Sequence, residues 1–266
     1  MKFALTIAGS DSSAGAGMQQ DLKTCTVLGV YCATVITSVT AQNTFEVTGI
    51  HDLPPDMVEK QIDAVMRDLP IEYGKTGMLS NADIVRSVAK KAREYGLKLV
   101  VDPVMVSKSG ATLLREDAVA SLKRDLLPMA YIVTPNAVEA EIISGIKIRE
   151  SEDAAAAAQA IARMGARYVV VKGGHVGGDT VVDTFYDGNA LKRYEYPRVP
   201  TTNTHGGGDT LSAALASYLS RGFEPARAYA LARRFMQSCI TESLQIGKGY
   251  GPVNPMHSLK GFRSGT

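Results

Sequence analysis

The segment at residues 204–219, THGGGDTLSAALASYL, sets three glycines, Gly206, Gly207 and Gly208, before an acid, Asp209, and an apolar run. A helix start leaves four backbone N–H groups unpaired and carries partial positive charge. Glycines at that point let a ligand approach the backbone closely, so the pattern describes an anion cradle, and phosphate is the obvious anion. No Gly-Lys-Ser/Thr follows, which separates the spacing from a P-loop. Asp209 beside such a cradle would oppose ground-state binding of an anion. It makes sense where a hydroxyl attacks phosphorus and has to be oriented while its proton leaves late. The plainer alternative is a first-turn helix acid after a turn. Three adjacent glycines, each costly in chain entropy, weigh against it.

Other polar groups could serve the same chemistry. Asn136-Ala-Val-Glu139 has the outline of a capping box, yet after a strand its Glu139 carboxylate could hold Mg²⁺, which prefers oxygen ligands. Asp102, in VVDPV, either shapes the turn before Pro103 or sits near that metal. Lys172 ends a very apolar strand and precedes two glycines, so it could reach a terminal phosphate as a point charge; the alternative is a lysine snorkelling to water. GSDSSAGAGMQQD resembles a dinucleotide fingerprint only loosely, because the third glycine is not at the required place. Asp21 lies one helical turn beyond Gly17 and is expected on the face exposed near the loop, as a first-turn acid or a contact for a substrate. Of the four histidines, only His205 adjoins the glycines, and a structural role is expected for it.

The elements that must position these groups read as an alternation. Short β-rich runs at 3–8, 33–37, 97–101, 131–134 and 168–172 are apolar on nearly every residue, as parallel strands covered on both faces are. Helical patterns lie between them at 18–28, 55–69, 81–95, 136–144 and 152–164. Gly29, Gly96 and Gly165 stand just past three of them, where a left-handed residue closes a helix. Residues 44–53 suggest a small flap, and Asp187-Gly188-Asn189 predicts a hairpin over 181–196. No linker or repeat divides the chain, so residues 1–266 read as one α/β domain, a mostly parallel sheet with helices on both faces. Ligands of such folds sit beyond the carboxyl ends of the strands. Ser10-Asp11, Gln42-Asn43, Asp102, Asn136 and Lys172 to His175 all follow strands, and so form one polar lip.

Composition excludes several classes. A net charge of +2 with no basic block is no footprint of a nucleic-acid binder. Three scattered cysteines argue against a disulfide framework or a zinc site. No run approaches the ~18 apolar residues of a membrane span. A cytoplasmic location is expected.

Taken together these residues carry a resemblance. The stretches LTIAGSDSSAGAGMQQDLKT, VITSVTAQNT, KTGMLS, DPVMVSKSG, TPNAVEAE, VVVKGGH, NTHGGGDTLSAALAS and GKGYGPV, in this order, resemble the hydroxymethylpyrimidine/phosphomethylpyrimidine kinases of thiamin biosynthesis, within the ribokinase-like superfamily. The resemblance implies a three-layer ribokinase-like fold and ATP- and Mg²⁺-dependent phosphorylation of 4-amino-5-hydroxymethyl-2-methylpyrimidine and then of its monophosphate, with a monovalent cation as a further option. It implies Gln42, Gly9, Ala16, Asp21, Met78 and Val104 around the pyrimidine. Asn136, Glu139, Lys172 and the backbone of Gly206, Gly207 and Gly208 would serve ATP, the metal and the migrating phosphate, and Lys108 would close over the site. Relatives are often dimers, which the 44–53 flap could mediate.

The chain departs from the family at the opening motif, where close relatives carry Gly-Thr-Gly-Cys. Aspartate there is the habit of sugar and nucleoside kinases, so the base role transfers while a pyridoxal or pyridoxine kinase becomes the alternative. Relatives that phosphorylate pyridoxal with a lid cysteine and an active-site cysteine would find Ser107 and Asp209 here. A nucleotide-sensing protein that transfers nothing is disfavoured, because a pure binder gains little from an acid at the transfer point.

Overall fold

A computed structural model of the chain describes residues 1–106, 110, 113–174 and 178–259. The expectations placed on Ser107, Lys108 and His175 fall outside them. Nine strands form one sheet: β1 (Lys2–Asp11), β2 (Val30–Gln42), β3 (Val47–Asp52), β4 (Tyr73–Thr76), β5 (Lys98–Val101), β6 (Ala130–Val133), β7 (Tyr168–Val171), β8 (Thr180–Tyr186) and β9 (Leu191–Pro197). Their order is β3-β2-β1-β4-β5-β6-β7-β8-β9. The six strands from β2 to β7 run parallel, while β3 on one edge and the β8–β9 hairpin on the other are antiparallel.

The helices α1 (Gly17–Val27), α2 (Pro55–Met66), α3 (Ala82–Glu94), α4 (Glu116–Ser121), α5 (Ala137–Ser144), α6 (Ser151–Arg163), α7 (Gly207–Ser220) and α8 (Pro225–Thr241) cover both faces. Strand periodicity sorts the core. Leu99 and Val101 pack with the α2–α6 layer, whereas Val100 between them packs with Leu211 and Leu215 of α7 and Ala228 of α8. Side chains that alternate across a pleat must feed two cores in this way. Gly29, Gly96 and Gly165 have φ of +73°, +62° and +115° just past their helices, as their positions predict. No helix among the described residues is long and apolar enough to cross a membrane.

Two expectations need correction. The strand expected at 33–37 extends over thirteen residues, because β2 continues through an alternating stretch whose partners are β1 on one side and β3 on the other. β4 was not anticipated: YGKT holds one aromatic, a glycine and a lysine, and no apolar run marks it. It fills the centre of the sheet. The chain places β2 and β3 on one side of β1 and every later strand on the other, so the switch in strand order falls between β1 and β4. The crevice beyond that switch point is where open α/β sheets bind ligands.

Candidate active site

Because six strands are parallel, their carboxyl ends share one edge, and the site is built on it. β1 ends in Asp11, β2 in Gln42, β4 leads into Gly77 and Met78, β5 into Asp102, β6 into Asn136 and β7 into Lys172. The entrance of α7 faces this edge. Gly206 is its N-cap with φ +75°, and Gly207, Gly208 and Asp209 are its first three residues. The Gly207 N–H donates to the Thr204 carbonyl at 3.1 Å. Among the described residues, no acceptor meets the N–H groups of Gly208 and Asp209. The cradle therefore rests on Gly208 and Asp209 rather than on all three glycines.

Asp209 keeps a side-chain exposure of 15%, so it faces the crevice. Lys75 Nζ donates to its Oδ1 at 2.9 Å. Burial raises the Asp209 pKa, but Lys75 and the Gly17 N–H outweigh it and hold the carboxyl below its ordinary value. On the other side of the glycines, Lys172 Nζ donates to Asp102 Oδ1 at 3.1 Å and Ser212 Oγ to Asp102 Oδ2 at 3.3 Å. A Cβ on Gly208 would stand 3.2 Å from Asp102 Oδ2 and 3.7 Å from Lys172 Nζ. Asp102, Lys172, Gly208 and Asp209 thus form one cluster. Burial works against the Lys172 ammonium, yet Asp102 and Glu139 raise its pKa, so it stays charged.

The capping box is real: the Glu139 N–H donates to Asn136 Oδ1 at 3.0 Å and the Asn136 N–H to Glu139 Oε2 at 2.8 Å. Its structural role does not exhaust it, since the Glu139 carboxyl is also in the field of Lys172 and Asp102. Burial, reinforced by Asp102 and opposed by Lys172, pushes Glu139 up to about 7. A divalent cation would favour its ionised form. Each carboxylate has roughly four lone-pair directions, and those of Asp102 and Glu139 are only partly taken. No cluster of three or more potential metal ligands occurs among the described residues. The pair therefore fits a hydrated Mg²⁺ held chiefly by phosphate oxygens rather than a protein cage.

Of the expected substrate residues, Gly9 lies where the β1–β2 register shifts, and a Cβ there would meet Met78 Sδ at 3.2 Å. Ala16 precedes α1 and donates its N–H to Asp11 Oδ2 at 2.9 Å. Gln42 is half-buried, with Nε2 3.5 Å from His205 Nε2 and Oε1 accepting from Thr40 at 3.1 Å. These four gather at the β1 and β2 ends. Val104 lies two residues past Asp102, tied to it by its N–H, and among the described residues no hydrogen bond joins it to the group. Asp21 is a correction. It is 0% exposed, not on an exposed face, because α1 turns that side against the sheet, where Lys75 and Thr6 hold its carboxylate.

Lys75 and Gly77 escape the sequence analysis, and Asp11 enters it only as a member of the polar lip. Lys75 lies in the unmarked strand β4; a lysine flanked by glycines between apolar runs was the available signal. Asp11 accepts from the Ser13, Gly15 and Ala16 backbones, from Ser13 Oγ, and contacts His205 Nε2 at 3.1 Å. Gly77 closes the crevice floor, where a Cβ would stand 3.0 Å from Lys75 Nζ. His205, expected to be structural, is buried, and its Nε2 lies 3.1 Å from Asp11 Oδ2 and 3.5 Å from Gln42 Nε2. That nitrogen serves one of them at a time, as a donor to Asp11 or as an acceptor from Gln42.

Comparison with known proteins agrees with this architecture. The sequence profile of the family described as phosphomethylpyrimidine kinase matches residues 11–254. A thiamine biosynthesis bifunctional protein of Geobacter sulfurreducens is 47% identical over 260 residues, 97% of this chain; the chain spans only 53% of that protein's length. A hydroxymethylpyrimidine/phosphomethylpyrimidine kinase of Rhizobium meliloti is 47% identical, with 96% of this chain and 97% of the relative covered. Among solved structures, an ADP complex of Bacillus subtilis pyridoxal kinase superposes with a TM-score of 0.90 at 34% identity, covering 98% of this chain and 99% of that one.

Proposed function

This chain belongs to the phosphomethylpyrimidine kinase family, and from that premise we propose that it transfers the terminal phosphate of ATP to 4-amino-5-hydroxymethyl-2-methylpyrimidine and then to the monophosphate so formed. The observation that carries the reading is the partly exposed Asp209 carboxylate at the third position of α7, next to two unpartnered amides and the Lys172 ammonium. Asp209 orients the substrate hydroxyl. The hydroxyl oxygen bonds to the γ-phosphorus as the P–O bond to ADP breaks, and the hydroxyl proton passes to Asp209 late in the step. The Gly208 and Asp209 N–H groups hold the migrating PO₃ unit, and Lys172 offsets its charge. Asp102 and Glu139 would hold Mg²⁺, which supplies charge neutralisation between the phosphates.

Gln42 offers both a donor and an acceptor to the edge of an aminopyrimidine. Gly9, Ala16, Met78 and Val104 complete its pocket, with Met78 supplying an apolar face. Asp21 belongs to the support beneath the site. A monovalent cation and a homodimer through the β3 flap are further elements of the proposal.

The second reading is phosphorylation of pyridoxal, favoured by the 0.90 superposition on a pyridoxal kinase. Mass-resolved products from each alcohol with ATP decide between them: the pyrimidine diphosphate is expected, and pyridoxal phosphate formed at the greater kcat/KM would reverse the assignment. Asp209→Asn is expected to lower kcat by roughly 10²–10⁴, the usual worth of a positioned acid–base group. A near wild-type rate would remove Asp209 from the base role.

A further inference from the structure

Lys75 stands in the middle of the sheet on β4 and is 1% exposed. An ammonium has three protons and no acceptor. Here three acceptors take them, each at 2.9 Å: Asp21 Oδ1, Asp21 Oδ2 and Asp209 Oδ1. Asp21 is fixed in turn by the Thr6 hydroxyl at 2.5 Å, so α1, β1, β4 and α7 meet at one ion cluster. Buried ion pairs contribute little net stability compared with well-packed apolar groups, because desolvation offsets the attraction. A lysine buried at the centre of the sheet therefore calls for a reason other than stability.

We propose, building on the reading of Asp209 as the group that faces the substrate hydroxyl, that Lys75 is a positioning residue for phosphoryl transfer, with Asp21 as its anchor. Asp21 clamps the ammonium with two bonds, and the third bond fixes one carboxylate oxygen of Asp209. That bond sets the rotation of the carboxylate about its stem and so directs its remaining surface to the crevice. Gly77 keeps the space clear, since a Cβ there would stand 3.0 Å from Lys75 Nζ and 3.8 Å from Asp209 Oδ1. The pairing also makes Asp209 a weak proton acceptor. It fits a base that orients the hydroxyl throughout the step and takes the proton only at its end.

The charged groups around Asp209 come from every adjoining element. Lys75 lies on β4 and Asp21 on α1, with the Gly17 N–H at the α1 start; Lys172 follows β7, Asp102 follows β5, and His205 precedes α7. Among them Lys75 is the cation that Asp209 touches directly. Without it, only the Gly17 N–H and His205 are left to oppose burial, and protonation of Asp209 moves to higher pH.

The test compares Lys75→Met, Asp209→Asn and the double variant in steady-state kinetics over pH. For Lys75→Met, kcat is expected to fall about 10–10²-fold, part of the full worth of the base, with KM for ATP within about twofold. The acid limb of its kcat/KM profile is expected to move upward. In the Asp209→Asn background the same change should lower kcat no further, because residues acting as a unit are not additive. An unchanged kcat and acid limb in Lys75→Met, beside an inactive Asp209→Asn, would overturn the positioning role and leave the base standing. An active Asp209→Asn would overturn the base itself. If Lys75→Met does not fold, Asp21→Asn leaves the ammonium bonded to Asp209 but loosens its anchor; a lower kcat at constant KM for ATP supports the proposal, and an unaltered kcat refutes it.

Discussion

The three glycines before Asp209 look alike in sequence, yet the structure asks different things of each. Gly206 has φ +75°, and a Cβ there would lie 2.0 Å from the Gly15 carbonyl oxygen. An alanine must distort both the helix cap and the loop before α1. Gly206→Ala is expected to lower unfolding free energy by about 3 kcal/mol or more, combining backbone strain of roughly 1–3 kcal/mol with the clash, and to lower kcat by displacing Asp209. Gly207 is helical, and its nearest neighbour to a Cβ is Val253 Cγ1 at 4.0 Å. Gly207→Ala is expected to be neutral or to stabilise by up to about 1 kcal/mol through the unfolded chain. Urea denaturation of the two variants checks the contrast, and equal effects would contradict it. Gly208 lies between these cases, because its Cβ would press on Asp102, so its constraint belongs to the site rather than to the fold.

At the scale of elements, the loop from β1 to α1 is organised by one carboxylate. Asp11 gathers three backbone N–H groups and Ser13 Oγ. Burial alone would raise its pKa, but His205 and Ser13 outweigh it and lower the pKa below 3.8. A depressed folded-state pKa contributes stability that is present above the unfolded value and lost as pH falls through the folded one. Asp11→Asn is expected to cost about 1–3 kcal/mol at pH 7, the usual penalty for hydrogen bonds to a charged group. The difference from wild type should narrow below pH 3.8, as read by denaturation at a series of pH values. A constant gap would mean that charge is not what Asp11 provides. The same loop marks where the sequence was legible and where it was not. The strands β1, β5, β6 and β7 announce themselves because burial on both faces demands unbroken apolar runs. The capping box and the hairpin turn are likewise local chemistry. β4 and Lys75 stay hidden because their reason is tertiary: YGKT is a strand only because β1 and β5 flank it, and Lys75 is tolerated only because Asp21 and Asp209 arrive from distant helices. Asp21 misleads for the same cause, since helical spacing gives its face but not what that face packs against.

At the scale of the molecule, the far side of the sheet is tied to the site through a second buried ion cluster. Asp183 on β8 accepts from the Gly173 N–H at 2.8 Å, from Tyr229 Oη at 2.7 Å and from Arg233 Nε at 2.8 Å. It therefore joins the β8–β9 hairpin to α8 and to the residue that follows Lys172. Arg233 is 3% exposed, lies 4.2 Å from the Tyr196 ring centroid and donates to Gln237, which reaches the Pro197 carbonyl. Removing Asp183 would leave a guanidinium and a backbone N–H buried without their anion. Asp183→Ala is accordingly expected to cost about 3–5 kcal/mol, the penalty for breaking a buried pair from one side, whereas Tyr229→Phe, which removes one neutral donor, should cost nearer 1 kcal/mol. The Gly173 backbone packs directly on β8, since a Cβ there would lie 2.0 Å from the Val182 carbonyl oxygen; losing its Asp183 anchor frees the backbone beside Lys172. Asp183→Ala should therefore also raise KM for ATP while leaving the pH profile of kcat in place, because Asp209 stands on α7 and Lys75 on β4, away from β8. A stability loss without any change in KM for ATP would confine Asp183 to the fold, and a shifted pH profile would show that the two ion clusters are coupled through the sheet.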